Sequence, residues 1–578
     1  MSGVSFPHIP RNLRVPLFYA ELDASQANLG TQALNALLIG QMLPAGTAPP
    51  NRPILVTDPQ SAIAWFGRGS MLARMVASYR RQDAGSCNLW CLPLQDDAAS
   101  SVATATVTVT GTASAAGTIA LYIAGQRLNI GVHAGDTGAT VAANVVTAVN
   151  ADADLPVTAI VGVPAAPPLP PPPPAPPPPP PPDTPPGGGA PAPAPGPVAN
   201  GPGGCAPSIG PLFKGSMAGP LSPAFPAIVA ADSTGGVLTL LCKWGGATGN
   251  DVTLLDSFLG WAAGEKLPAG LAITYSGPTL AGGSADPSLA ATAIPAMGDE
   301  PYDFVIHPYA QAQALDDLAL EFNDATGRWS YARQLYGHGY TARRGILTDL
   351  AAFGLTRNDQ HHTVAAIDAG CPSPCWEYAA AYGGANAVDI AADPARPTQT
   401  TPMVGMLAPR AGERFLFEDR QTLLNFGIAT SYVAGGQLCV ERAITTYQVN
   451  AFGTPDTSYL DSETLHTSAY VLRTLKAAIA TKYPRHKLAD DGTRFAAGQA
   501  IVTPSVIRGE LCAIYGQLVY QGIVENLDTF KRYLIVERDA DDPNRVNVLF
   551  PPDYTNQLRV FALLNQFRLQ YPADQVVA

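Results

Sequence analysis

The sequence predicts a multidomain chain of α/β and α+β parts: a layered α/β core interrupted by an inserted β-rich module, then a small α+β C-terminal domain, with extended N- and C-terminal arms. Three observations predict it. β-α-β steps precede residue 100 and return after Gly298. The block between them changes to Thr/Ala/Gly-rich alternation. Near the end, two helix-period runs flank a charged loop. The length of 578 residues is too great for one core. The expected organisation is an arm at 1–22, core at 23–100, the module at 101–289 with a proline-rich loop at 164–235, core again at 290–460, and the C-terminal domain at 461–578.

Taken in order, Leu13–Leu22 reads as an extended segment in which Val15, Leu17 and Tyr19 alternate with Pro16, Phe18 and Ala20. A proline-bearing strand belongs at an edge or on another sheet, so this is an arm. Ala33–Ile39 is the first buried strand, Asp58–Tyr79 a helix opened by Pro59, and Leu89–Leu94 the next strand. Within the module, 102–110, 118–123 and 127–132 carry strand signals, 140–150 a small helix, and 237–244, 251–255 and 271–275 further strands. Residues Pro164–Pro202 are mostly proline, which fixes φ and donates no hydrogen bond. That tract is an insertion rather than a domain; a solvated spacer is the default and a ligand for a proline-binding domain the alternative.

After Gly298, Tyr302–His307 and Thr363–Ile367 read as strands, Ala310–Tyr336 as one or two helices, and His338–Gly345 with Ala379–Asp389 as loop and helix. Asp461–Tyr483 is a helix with Leu465, Ala469, Leu472, Leu475 and Ile479 as its apolar stripe. A second begins at Thr503-Pro504. The loop between them holds Arg485, His486, Lys487, Asp490, Asp491 and Arg494, which must be solvated or docked on charge. Tyr533–Arg538 and Val546–Phe550 are strands joined by the Asp541–Asn544 turn, and Gln557–Leu569 is a terminal strand.

Composition narrows the function classes. Lys+Arg 34 against Asp+Glu 46 gives net charge −12, which argues against nucleic acid as main partner. Only 14% of residues are charged, which predicts surface buried against other subunits, although the proline tract also dilutes charge. No apolar run approaches the roughly 20 residues of a bilayer span, so membrane insertion is not expected. The proline- and arginine-bearing start does not have the order of a secretory signal, and cytoplasmic synthesis and residence are expected. Eight cysteines in this length read as reduced structural thiols.

Candidate chemistry is thin. Gly337–Ala342 fits a dinucleotide fingerprint on paper, but the reading puts a helix before it where a strand is required, so a glycine-permitted turn suffices. Cys87 with Cys91, and Cys371 with Cys375, have the wrong spacing for a zinc knuckle, and His361-His362 adds no paired motif. No GxSxG, HExxH or P-loop occurs. No catalytic, cofactor or metal site is expected.

Ala443–Gln448 with Asn450–Gly453, Ser458–Asp461, Glu463–Leu465 and Lys482–Gly492 closely resemble the tail sheath proteins of Mu-like contractile-tailed bacteriophages. So do Gly498–Pro504, Val536–Asp539, Pro543–Arg545, Asn556–Val560, Asn12–Pro16, Gly337–Tyr340 and Leu355–Asp359; the likeness covers most of the chain outside about 163–235. It implies a subtilisin-like core without the reaction, and a subunit that polymerises as stacked sixfold rings around a tail tube and contracts to drive the tube through the host envelope. Implied partners are further copies, the tail tube protein, and baseplate and terminator proteins. The implied location is the virion tail, after assembly in host cytoplasm. The resemblance also implies strand exchange between subunits, here through Leu13, Val15, Leu17 and Tyr19 and through Leu558, Val560, Phe561 and Leu563. Arg485, His486, Lys487, Arg494, Lys531 and Arg532 are candidates for tube or neighbour contacts. Rival readings are the sheath of a headless contractile particle, a hydrolase on the same core, and an adhesin built on the module.

Overall fold

The computed structural model describes residues 34–162, 236–496 and 498–569. The chain divides into two units, 1–163 with 232–578 and 164–231. The N-terminal arm with Leu13, Val15, Leu17 and Tyr19, the proline tract and Cys205 lie outside the described residues.

A run of apolar residues with no polar alternation forms a strand buried on both faces. β1 (Asn35–Gln41) is such a run, and its Ala36–Ile39 are fully buried. β2 (Ile54–Leu55), α1 (Pro59–Phe66) and α2 (Met71–Gln82) lead to β3 (Asn88–Leu94), which pairs parallel with β1. Asp58 caps α1, accepting from the Ser61 amide, and Ser70 caps α2. The single helix expected over 58–79 is thus two. Gly67 and Gly69 break it at φ +91° and +77°, and a Cβ on Gly69 would lie 2.5 Å from the Ala153 carbonyl.

The module follows: β4 (Val102–Gly111), β5 (Gly117–Ile123), β6 (Gln126–Val132), α3 (Gly138–Ala151), β7 (Val157–Val161), β8 (Gly236–Gly245), β9 (Leu254–Asp256) and β10 (Leu271–Tyr275). They make two antiparallel sheets, β10-β4-β8-β7 and β6-β5-β9. On β4 every second residue is buried, from Ala103 to Val109. β7 and β8 are hydrogen-bonded neighbours up to Val161↔Leu238.

The core resumes with α4 (Ala293–Met297), β11 (Phe304–Ile306), α5 (Ala312–Phe322), β12 (His338–Gly345), α6 (Leu347–Gly354), β13 (His362–Asp368) and α7 (Cys375–Ala392). The sheet order is β13-β12-β11-β1-β3-β2, parallel except for β2. Helices cover both faces. On the α7 side, glycines allow close approach: a Cβ on Gly383 would come 2.6 Å from Ile306 Cδ1. On the other face Leu318 and Phe322 of α5 pack with Val305 and Tyr309.

Here one expectation is corrected. His338–Gly345 is not a loop but an interior strand, whose His338, Thr341 and arginines mask it in sequence. Its polar groups find partners inside the fold: His338 bonds Thr363 Oγ1 at 2.8 Å and Arg343 donates to the Ala310 carbonyl. Residues 310–336 contain one helix rather than two, because the Asn323 side chain accepts from the amides of Ala325, Thr326 and Gly327 and turns the chain.

Next come α8 (Phe417–Asn425), the hairpin β14 (Thr430–Ala434)–β15 (Gln437–Arg442) turned at Gly435-Gly436, and α9 (Ser462–Lys482). Then follow β16 (Lys487–Leu488), β17 (Ile501–Val502), α10 (Pro504–Tyr520), α11 (Leu527–Tyr533), β18 (Ile535–Arg538) and β19 (Val546–Leu549). The last part has a core of its own around Leu511, Ile514, Tyr515 and Phe530, with the Tyr515 and Phe530 rings stacked 3.7 Å apart.

One further expectation fails. On α9, Leu465 and Ala469 are buried but Leu472 is 43% exposed. The N-terminal half of the helix is instead buried more broadly, Glu463, His466 and Thr467 included, because it enters between the sheet and the C-terminal part. Gln557–Leu569 joins no ladder among the described residues, the nearest pairing being the isolated bridge Val524↔Tyr554. A strand signal supplies the side chains but not the partner edge.

Candidate functional site

In an open parallel sheet, ligands sit beyond the C-terminal strand ends where strand order reverses. Here that point lies between β1 and β11, and protein fills it. Gln41 Nε2, at the end of β1, donates to Asp96 Oδ1 at 2.7 Å and to the Gly245 carbonyl at 2.5 Å. Asp286 accepts from the Thr248 amide at 3.1 Å and from Gln311. Burial pushes the Asp96 and Asp286 carboxyls above their usual range. His307 and Tyr309, following β11, are fully buried. The inserted module therefore plugs the crevice.

Among the described residues the buried histidines form no triad with an acid. The rings of His307 and His362 lie 5.9 Å apart and those of His338 and His466 5.7 Å apart, both edge-on, whereas Asp368 ends β13, the strand that His362 begins. Burial drives His307 and His466 down to about 3. Burial also raises the Cys87 thiol to about 12 and Cys371 to about 11, far from thiolate reactivity. Gly337–Ala342 is no phosphate cradle: the His338 and Gly339 amides already bond the Asp303 and His361 carbonyls. Among the described residues no group of three or more His, Cys, Asp or Glu is arranged to hold a metal ion. A cleft of about 470 Å³ beside α2 is floored by the Arg74–Glu377 ion pair at 2.5 Å, so its strongest charges are already matched.

The basic candidates all lie exposed on the C-terminal part. Arg485, His486, Lys487 and Arg494 occupy the loop between α9 and α10; Lys531 and Arg532 occupy the last turn of α11. That loop is held by Asp491, which accepts from Ser505, and by Asp490 paired with Arg538 at 2.9 Å. Lys531 pairs with Asp528 at 3.3 Å. Surface pairs of this kind contribute little stability.

The tail departs most from an ordinary folded end. Leu558, Val560, Phe561 and Leu563, with Leu564, Phe567 and Leu569, are exposed from 70% at Leu558 to 97% at Leu569. An apolar run of this kind marks an interaction surface. Nearby, β18 and β19 form a two-stranded antiparallel sheet with both outer edges unpaired among the described residues, and Ile535, Val548 and Leu549 are exposed on it. The pair is held from one side, with Val536 of β18 and Phe550 beyond β19 packed on the C-terminal core.

Sequence reasoning missed the root of this tail. Arg559 donates to Asp461 Oδ1 at 3.2 Å and to Glu463 Oε1 at 3.0 Å, and Arg442 of β15 forks onto the same Asp461 at 2.8 and 2.9 Å. Glu463 Oε1 also accepts from the Thr398 amide and hydroxyl, and its side chain is fully buried. Gln557 donates to the Ala395 carbonyl, and Gln399 to that of Leu558. The available signal was an arginine inside an apolar alternation.

Comparison with known proteins gives a consistent picture. Residues 283–446 match the family model described as phage tail sheath protein central domain, and 454–568 that of the phage tail sheath C-terminal domain. The chain is 34% identical over 570 residues to the Mu-like prophage FluMu tail sheath protein of Haemophilus influenzae, covering 98% of this chain and 100% of that one. Among solved structures, sheath tail proteins of Desulfitobacterium hafniense and Listeria innocua align at 10% identity with TM-scores of 0.44 and 0.42. They cover 94% and 92% of this chain and 97% and 94% of theirs.

Proposed function

The chain belongs to the phage tail sheath family, and from that premise we propose that it is the structural subunit of a contractile tail sheath, polymerising around a tail tube in the virion tail. Copies stack as hexameric rings, are held extended, and on triggering rotate into a wider packing that drives the tube through the host envelope. The stored energy is a difference between two packings of the same subunits, so no nucleotide is consumed. The subunit performs no bond chemistry. Its further partners are the tube, baseplate and terminator proteins, and it assembles in the host cytoplasm.

The observation that carries this reading is the pairing of an exposed apolar tail with a two-stranded hairpin whose edges are open. A tail of one copy that adds to β18–β19 of another completes a sheet and covers Phe561, Leu563, Ile535 and Val548 together. About six such backbone bonds at roughly 1 kcal/mol each would hold a junction by several kcal/mol. The N-terminal arm at Leu13–Glu21 is the second link. Arg485, His486, Lys487, Arg494, Lys531 and Arg532 face the tube or the next ring.

Negative-stain microscopy of the overexpressed full chain tests the reading. Hollow striated tubes are expected, with loss of tubes but retention of folded monomer when residues 1–22 or 560–578 are removed. Normal polymerisation of both truncated chains would sink it.

A further inference from the structure

Three successive residues root the tail on the rest of the chain. Gln557, Leu558 and Arg559 bond to residues 395–399 and to the start of α9, whereas Val560 and the apolar side chains after it are exposed. Arg559 supplies the cation that closes a network joining three segments: β15 through Arg442, the stretch after α7 through Thr398, and the first turn of α9 through Asp461 and Glu463. A fully buried carboxylate such as Glu463 requires a partner, and the tail delivers it. One turn along α9, His466 bonds the Tyr340 hydroxyl of β12 at 3.0 Å.

We propose that Arg559 is a mechanical anchor, the residue through which pull on the C-terminal tail passes into α9 and on to the six-stranded sheet, bypassing the small core around Tyr515. This rests on the reading of the tail as an intersubunit link. Without the anchor, load on the tail would peel Tyr554–Leu558 away and enter the small C-terminal part through the β18–β19 pair. With it, the load enters a rigid helix whose N-terminal turn is held by paired carboxylates, a favourable place for negative charge.

Hydrogen exchange on the full-length unassembled chain provides the first test. The Thr398 amide, which donates to Glu463 Oε1, is expected to exchange at least about tenfold faster in Arg559→Met than in the wild type; equal rates overturn the anchor. Assembly then separates anchor from link. Arg559→Met, and Arg559→Met with Glu463→Gln to avoid stranding the buried acid, should give folded protein whose tubes fail to form or dissociate at lower guanidinium. Arg559→Lys, which restores charge but not the fork, should fall between. Folded variants whose tubes match the wild type in resistance overturn the anchor and leave the link standing. Normal tubes from a chain lacking 560–578 overturn the link itself.

Discussion

The six-stranded sheet and the C-terminal part solve opposite problems. In the sheet, β1, β3, β11 and β12 are paired on both sides, both faces are covered by helices, and the crevice at the strand ends is plugged by Gly245, Thr248 and Asp286. The C-terminal part leaves edges open on β18 and β19 and seven large apolar side chains in water along the tail. Among the described residues the first region has its inner strands paired and its crevice filled and the second does not, which supports the proposal that other copies are recognised through the second. Mutations in the first should therefore cost stability, and mutations in the second should cost assembly.

The largest effect expected is at Arg344, where β12 meets the module. It forks onto Asp251 at 2.6 and 3.1 Å and donates to the carbonyls of Asp368, Cys371 and Ser373. Arg344→Met strands a buried carboxylate and should destabilise the folded chain by roughly 3–5 kcal/mol, seen as a lower denaturant midpoint. An unchanged midpoint would break the contrast from the core side.

From the other side, Phe561→Asp with Leu563→Asp should lower assembly by at least about a hundredfold, a loss of roughly 2.7 kcal/mol in the junction. Sedimentation of polymer measures it. The monomer's midpoint should not move, because neither side chain is buried in the chain itself. A fall in monomer stability would show that the tail folds back.

Acid sharpens the comparison. Burial holds His307 and His466 neutral, with pKa lowered to about 3. Between the unfolded value of about 6.5 and that lower one, the unfolded chain binds protons the folded sheet refuses. Stability is thus full above about pH 6.5 and falls as pH drops, by roughly 2 kcal/mol per histidine at pH 5. Denaturation at pH 7 and pH 5 reads this out, and His466→Gln should flatten the slope. The smallest effect is expected from Arg494→Ala and Arg532→Ala: within about 0.5 kcal/mol on monomer stability, with any change confined to salt-dependent assembly.

Much of the fold was legible because local chemistry repeats. The apolar run at Ala36–Ile39, the Val/Thr alternation of β4, Pro59 and Pro504 at helix starts, and the Asp541–Asn544 turn each carry their own signal. β12 carried none, since a strand with His338, Thr341, Arg343 and Arg344 becomes interior only when neighbours satisfy those groups. The basic loop was legible as exposed charge; the Arg559 network was not, because its partners lie 96 and 98 residues away along the chain.

By itself the sequence determined which segments must be buried, where helices begin, and through its likeness the family. Tertiary structure alone decided that the module fills the crevice, that α9 buries Glu463 and His466 rather than Leu472, and that the tail's strand pattern finds no edge among the described residues. The reason is physical: periodicity records the face a segment offers, whereas burial, ion pairing and strand formation depend on what is brought against that face.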